Sequence, residues 1–215
     1  MNSAHAQLEA VLDRLIAEHT RDAGEVVAAR REYEDRRGRV FEDEDLWEAW
    51  SAAFIEWYLV ERLAGDHPVA ARSLTEARIA GDDELAAQIR AYLTSHRSLF
   101  EVRALGGGRV ELVDLIGGAS FWVAEPRTLH GVEVGDVAEL RVIGWGGEVL
   151  FGRTFVYHPP AARAAIAGHV KALAARGDDR RAIVDHVAAL RIKVDRYKHV
   201  APSKVYELDR EKISE

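Results

Sequence analysis

The spacing of apolar residues changes twice along the chain. Leu8, Val11, Leu12, Leu15 and Ile16 recur at intervals of three and four, the period of one helix face. The run from Arg30 to Arg39 is dense in mixed charge and reads as an exposed helix end with a turn at Gly38. The stretch FEDEDLWEAWSAAFIEWYLVERLAGDHP then opens with acids, which favour a helix N-terminus. It closes at Gly65 with Pro68 just beyond, a stop signal. Leu46, Trp50, Phe54, Trp57 and Tyr58 follow a helical spacing, and Trp47, Ile55, Leu59 and Val60 add apolar surface on other sides. Such a helix is covered on more than one face. Its tryptophans read as core rather than as a binding cage, since each large ring buries roughly 150–250 Å². Pro68 is placed to start a helix over 69–80. Gly81 separates that helix from another over 84–95.

From Ser98 the period becomes two. Phe100, Val102 and Ala104 alternate with Glu101 and Arg103, and the pattern resumes after each glycine cluster: Gly106 to Gly108, Gly117-Gly118, Gly135-Asp136 and Gly146-Gly147. A phosphate-binding loop leads from a strand into a helix. Here every cluster leads toward another strand, so the glycines read as turns. About five short strands with tight connections predict a compact antiparallel barrel or a strongly bent sheet. Beyond His158-Pro159-Pro160 the helical period returns. One helix passes through Ala164, Ile166, Val170 and Leu173 and stops at Gly177. A second, capped by Asp178 or Asp179, carries Ile183, Val184, Val187, Leu190 and Val194. After Pro202 the chain is polar and reads as an extended or partly disordered tail. The predicted class is therefore α+β: an acidic helical N-terminal region (1–97), a small antiparallel β-barrel-like middle (98–157), a helical hairpin (158–200) and a polar tail (201–215).

Within the middle region, DLIGGASFWVAE is followed by VEVGDVAELRVI. A strand ending in Asp-Leu-x-Gly-Gly, an aromatic-valine strand, then Gly-Asp and a hydrophobic strand resemble a small β domain of uncharacterised bacterial proteins. Some of those carry a cysteine-rich zinc motif, which this chain lacks. The resemblance spans about residues 100–155 and implies a barrel-like module with no assigned activity. The domain that binds cyclic di-GMP is also a small barrel. Its serine-containing turn is missing from Asp114 to Gly118, and the arginine pair at its spacing, Arg176 and Arg180, follows the strands instead of preceding them.

Composition narrows the chemistry. Cysteine is absent, which removes disulfides, thiolate metal sites and a cysteine nucleophile. No apolar run reaches the roughly 20 residues of a membrane span, and the N-terminus lacks a signal-peptide pattern. These point to a cytoplasmic protein without membrane insertion. Charge is uneven: Lys and Arg number 12 against 20 Asp and Glu over residues 1–97, 5 against 8 over 98–155, and 12 against 8 over 156–215. No histidine pair has metalloprotease spacing with a glutamate. His169 and His186 sit on adjacent predicted helices, but a third ligand is not evident. No serine stands in a Gly-x-Ser-x-Gly elbow. The reading is no cofactor, no metal site and no catalytic residues.

The leading expectation is a non-catalytic interaction or regulatory protein that binds another protein, with self-association as a further partner mode. Single-stranded nucleic-acid binding is the second reading, because small barrels use surface aromatics and a basic groove for it. A hydrolase ranks third. The candidate partner-binding residues are Trp122, Trp145 and Arg141 on the barrel and Arg191, Lys193, Arg196, Tyr197 and Lys198 in the basic C-terminal segment. Against nucleic acid stand the acidic barrel and a pI near 5.7, since phosphate affinity needs a concentrated basic face.

Overall fold

The computed structural model describes residues 3–125 and 131–207. Five helices come first: α1 (Ala4–His19), α2 (Ala23–Arg37), α3 (Trp47–Val60), α4 (Ala71–Ile79) and α5 (Asp83–Leu93). A two-residue hairpin, β1 (Leu63–Ala64) with β2 (His67–Pro68), turns the chain between α3 and α4. Ser3, Asp22 and Asp82 accept backbone N–H groups at the starts of α1, α2 and α5. These are the caps expected of such side chains. Tyr33 of α2 packs against Trp50, Phe54 and Trp57 of α3, with ring centroids 5.2–5.8 Å apart. The aromatic helix is core, as its spacing predicts.

Strands β3 (His96–Gly106), β4 (Arg109–Asp114), β5 (Ser120–Ala124), β6 (Val137–Trp145) and β7 (Glu148–Tyr157) form a closed barrel in the order β3-β4-β5-β7-β6. The pairs are antiparallel except β5 with β7, which meet in parallel at Val123 and Val149. An all-antiparallel barrel cannot close here: in a ring of five, alternating directions must repeat once. Strand β3 pairs with both β4 and β6, which closes the ring. Gly107 and Gly108, and again Gly146 and Gly147, have positive φ (60°, 71°, 62° and 81°). Two consecutive positive φ values are what tight mirror-image hairpin turns require. The glycine clusters join strands, and none opens a helix.

After a 3₁₀ turn (Pro160–Ala162), α6 (Arg163–Ala175) and α7 (Arg180–Arg196) pack as a hairpin, with Asp179 capping α7. The helices do not form separate lobes. Ile143, Leu150 and Val156 of the barrel share one core with α1 to α5, and Leu99 and Val137 share another with α6 and α7. The barrel interior is filled by Phe100, Val102, Val110, Leu112, Val123, Ala138, Leu140, Val142 and Phe151.

Two sequence expectations need correction. The charged run from Arg30 to Arg39 does end a helix at Gly38, but it is exposed only in part, because Tyr33 and Arg37 are buried. The stretch after Pro202 is not extended. Residues 202–207 are helical, and Val205 and Tyr206 are buried against α6 and α7. There the Tyr206 hydroxyl meets Nδ1 of buried His158 at 2.9 Å. The remainder of the polar tail, 208–215, lies outside the described residues.

Candidate functional site: a charged junction between barrel and helices

Strand β6 is buried on both sides from Val137 to Ile143. One side supplies apolar residues to the barrel interior, and the other sends Glu139 and Arg141 toward the helices. A strand with two covered faces cannot hide a charge in solvent, so each must find a partner. Glu139 accepts Arg37 of α2 at 2.8 Å and Arg97 of β3 at 2.9 Å. Asp185 of α7 binds the same two arginines at 3.3 and 3.2 Å. Arg97 continues to Glu61 at 2.9 Å. Arg141 joins that glutamate to Glu56 of α3, with the Glu56 contact at 3.1 Å. Glu56 also accepts the backbone N–H groups of Arg153 (2.8 Å) and Thr154 (3.1 Å). Those amides lie where the β6–β7 register shifts, and α3 satisfies what the ladder leaves open.

The chain of contacts thus links four carboxylates (Glu56, Glu61, Glu139, Asp185) through three guanidiniums (Arg37, Arg97, Arg141). Burial alone would push the Glu139 carboxyl up. Arg37 and Arg97 outweigh it and hold the group at about 2. Burial likewise opposes ionisation of Glu61, and Arg97 and Arg141 overcome it, so its pKa is lowered. Arg181 is the nearest further cation. Its Nε stands 3.7 Å from Glu61 Oε2, and its side chain is 62% exposed.

A second cluster sits beside the first. Asp114, at the end of β4, is buried and accepts Ser98 Oγ (2.6 Å), the Ile116 amide (2.9 Å), His96 Nε2 (3.0 Å) and Arg180 of α7. Burial raises its pKa, but these donors prevail and hold the carboxyl far below the usual range. Serine, histidine and aspartate therefore converge, yet not as a catalytic triad. Ser98 is buried and donates to Asp114, with no hydrogen bond to His96, whereas a nucleophile must hand its proton to the histidine. Asp114 is the aspartate of the Asp-Leu-x-Gly-Gly turn, and it fastens that turn to α7. Gly117 is closely approached there: a Cβ would lie 2.9 Å from both Arg180 and Asp114.

A third cluster joins α1 to α4. His19 Nε2 is 2.7 Å from Ser73 Oγ, which donates to Glu18 at 2.9 Å. A cleft of about 580 Å³ runs past His19. Ser73 is only 5% exposed, and the carboxylate holds the serine rather than the histidine, so a hydrolytic relay is not assembled. His169 and His186 do meet, with rings stacked 5.2 Å apart. No group of three or more His, Asp or Glu able to hold a metal occurs among the described residues, and no described helix is long and apolar enough to cross a membrane.

The candidate partner-binding residues fall in different places. Trp122 is 52% exposed on β5. Trp145 is half-buried and donates its indole N–H to Gln7 at 2.9 Å. Arg141 is buried in the ion-pair chain. Arg191 binds the Tyr157 carbonyl (2.8 Å) and Asp195, and Arg196 binds Glu44 (2.9 Å). Lys193, Tyr197 and Lys198 lie exposed at the end of α7 and just after it. The structure does not gather these eight residues into one surface. Sequence reasoning missed Arg37, Glu61, Arg97, Glu139 and Asp185, whose partners stand up to 148 positions away. Only Glu139 left a signal, as a charge inside the unusually apolar run VAELRVIG. No protein-family model, no curated protein and no solved structure matches this chain.

Proposed function

We propose that the protein is a non-catalytic interaction module whose partner is another protein, bound on the outer face of β4 and β5. One observation carries this reading: Trp122 is 52% exposed on β5, away from the strands that carry the main helix contacts. Helices α3, α5 and α7 pack on β7, β6 and β3. Opposite Trp122, in register, stands Glu111, with Val113 and Ala124 in the neighbouring pairs. A tryptophan ringed by small apolar and polar side chains is the composition of an interface anchor.

The charge of this face favours protein over nucleic acid. Glu101 pairs with Arg103 at 3.2 Å, and Arg109 and Glu111 alternate beside them. Two acids and two bases give no concentrated positive potential for a phosphate backbone. Two of the basic C-terminal candidates, Arg191 and Arg196, are already matched to acids within the chain. The barrel topology alone does not assign nucleic-acid binding, because a fold hosts many functions.

The reading is tested with a photo-reactive amino acid placed at position 111 in the native cell. The expected result is one discrete cross-linked protein adduct, lost when Trp122→Ala is added. Truncating an interface anchor costs about 2 kcal/mol or more, roughly thirty-fold in affinity. A fluorescent single-stranded oligonucleotide is expected to show no binding at low salt. Tight oligonucleotide binding that weakens steeply with salt would overturn the assignment.

A further inference from the structure

A second site is built into the junction, independent of the barrel face. A cleft of about 170 Å³ opens where the ends of α3 and α5 meet the start of α7. Val60 and Leu93 give it an apolar wall, Arg180 and Arg181 stand at its mouth, and Glu61 forms its floor. Glu61 is only 7% exposed. Its Oε1 takes both Arg97 and Arg141. Its Oε2 is buried and has no hydrogen-bond partner. Arg181 is near that oxygen, at 3.7 Å, but beyond hydrogen-bond range. Arg97 and Arg141 both reach Glu61 through Oε1, so Oε2 is the oxygen left to accept a donor from the cleft. An unpartnered carboxylate oxygen in a buried site calls for a cationic donor.

We propose that this cleft binds a small zwitterion of the α-amino-acid class with a short aliphatic side chain. The ammonium donates to Glu61 Oε2. The carboxylate, one carbon away, meets Arg181, which pivots outward from its exposed position, and Arg180 beside it. The side chain lies against Val60 and Leu93. Size supports the class, because pockets for drug-sized ligands run from roughly 300 Å³ upward and this one is smaller. Charge supports it too: an anion alone would leave Glu61 Oε2 unmet, and an amine alone would leave exposed Arg181 with only its 3.7 Å contact to Glu61. Glu61 stays ionised to receive the ammonium because Arg97 and Arg141 outweigh its burial.

Isothermal titration of the full chain with L-valine, L-leucine and glycine tests this. Isobutylamine, isovalerate and inorganic phosphate serve as single-charge probes. Saturable binding of L-valine or L-leucine is expected, with each single-charge probe weaker by about ten-fold or more. Arg181→Ala, on an exposed side chain, is expected to retain the melting temperature and to weaken the amino acid by about ten-fold. Glu61→Gln keeps the shape of the floor and is expected to abolish the preference for amino acid over isovalerate. The proposal is overturned if no amino acid saturates the protein at millimolar concentration. It is equally overturned if phosphate or isobutylamine binds as tightly as L-valine, or if Arg181→Ala leaves affinity unchanged.

Discussion

Replacing Glu139 by leucine will lower the stability of the folded protein by about 3–5 kcal/mol, the usual cost of removing one partner from a buried ion pair. The carboxylate is 2% exposed and joins Arg37 to Arg97. Without it, Arg37 keeps one carboxylate, Asp185 at 3.3 Å, and the faces of Tyr33 and Trp50, on a fully buried side chain. For a chain of this length the loss corresponds to roughly 6–20 °C in melting temperature. Adding Arg37→Met to the same protein removes the stranded charge as well. The double variant is expected to recover part of the loss, since apolar replacements of a whole pair are often neutral. Urea unfolding of both variants reads this out. A single-variant loss below about 1 kcal/mol would show that solvent compensates Arg37.

Acid will destabilise the protein over two overlapping ranges, and the first to begin belongs to His158. This imidazole is buried beside Tyr206, and burial lowers its pKa from 6.5 to about 3. Glu139 opposes that shift, while Arg191 and Arg37 reinforce it. The unfolded chain takes up a proton near pH 6.5, and the folded one does not until about pH 3. Stability therefore falls as pH drops through that window, by about 1.4 kcal/mol per pH unit from this group alone. Glu139 acts lower down. Its stabilisation is complete above the ordinary value of 4.5 and is lost as pH falls toward about 2. Urea midpoints at pH 7, 5.5 and 4.5 measure the first range, and His158→Gln is expected to flatten it. An unchanged slope in that variant would assign the acid sensitivity elsewhere.

The main elements were legible because their signals are local. Gly107-Gly108 and Gly146-Gly147 declare hairpins through backbone freedom, and Trp50, Phe54 and Trp57 declare a buried helix through spacing. The parallel contact between Val123 and Val149 follows only from counting strands in a closed ring. The charged junction was not legible. In β6, alternation between apolar and charged residues ordinarily means one wet face. Glu139 and Arg141 break that rule because α2, α3 and α7, from opposite ends of the sequence, cover the second face. Arg37 looked like part of a solvated run for the same reason. Tyr206 was missed because one buried ring in a polar stretch has no period to read.

The sandwiching of β6 has a consequence during synthesis. Arg97, Glu139 and Arg141 lie on the barrel, but Asp185 emerges from the ribosome some 44 residues after Arg141. Until α7 arrives, Arg37 and Arg97 lack one of their counter-charges, and Leu99 and Val137 lack part of their cover. A ribosome-bound chain halted before residue 180 should thus remain protease-sensitive in strands that resist cleavage once the last long helix has docked.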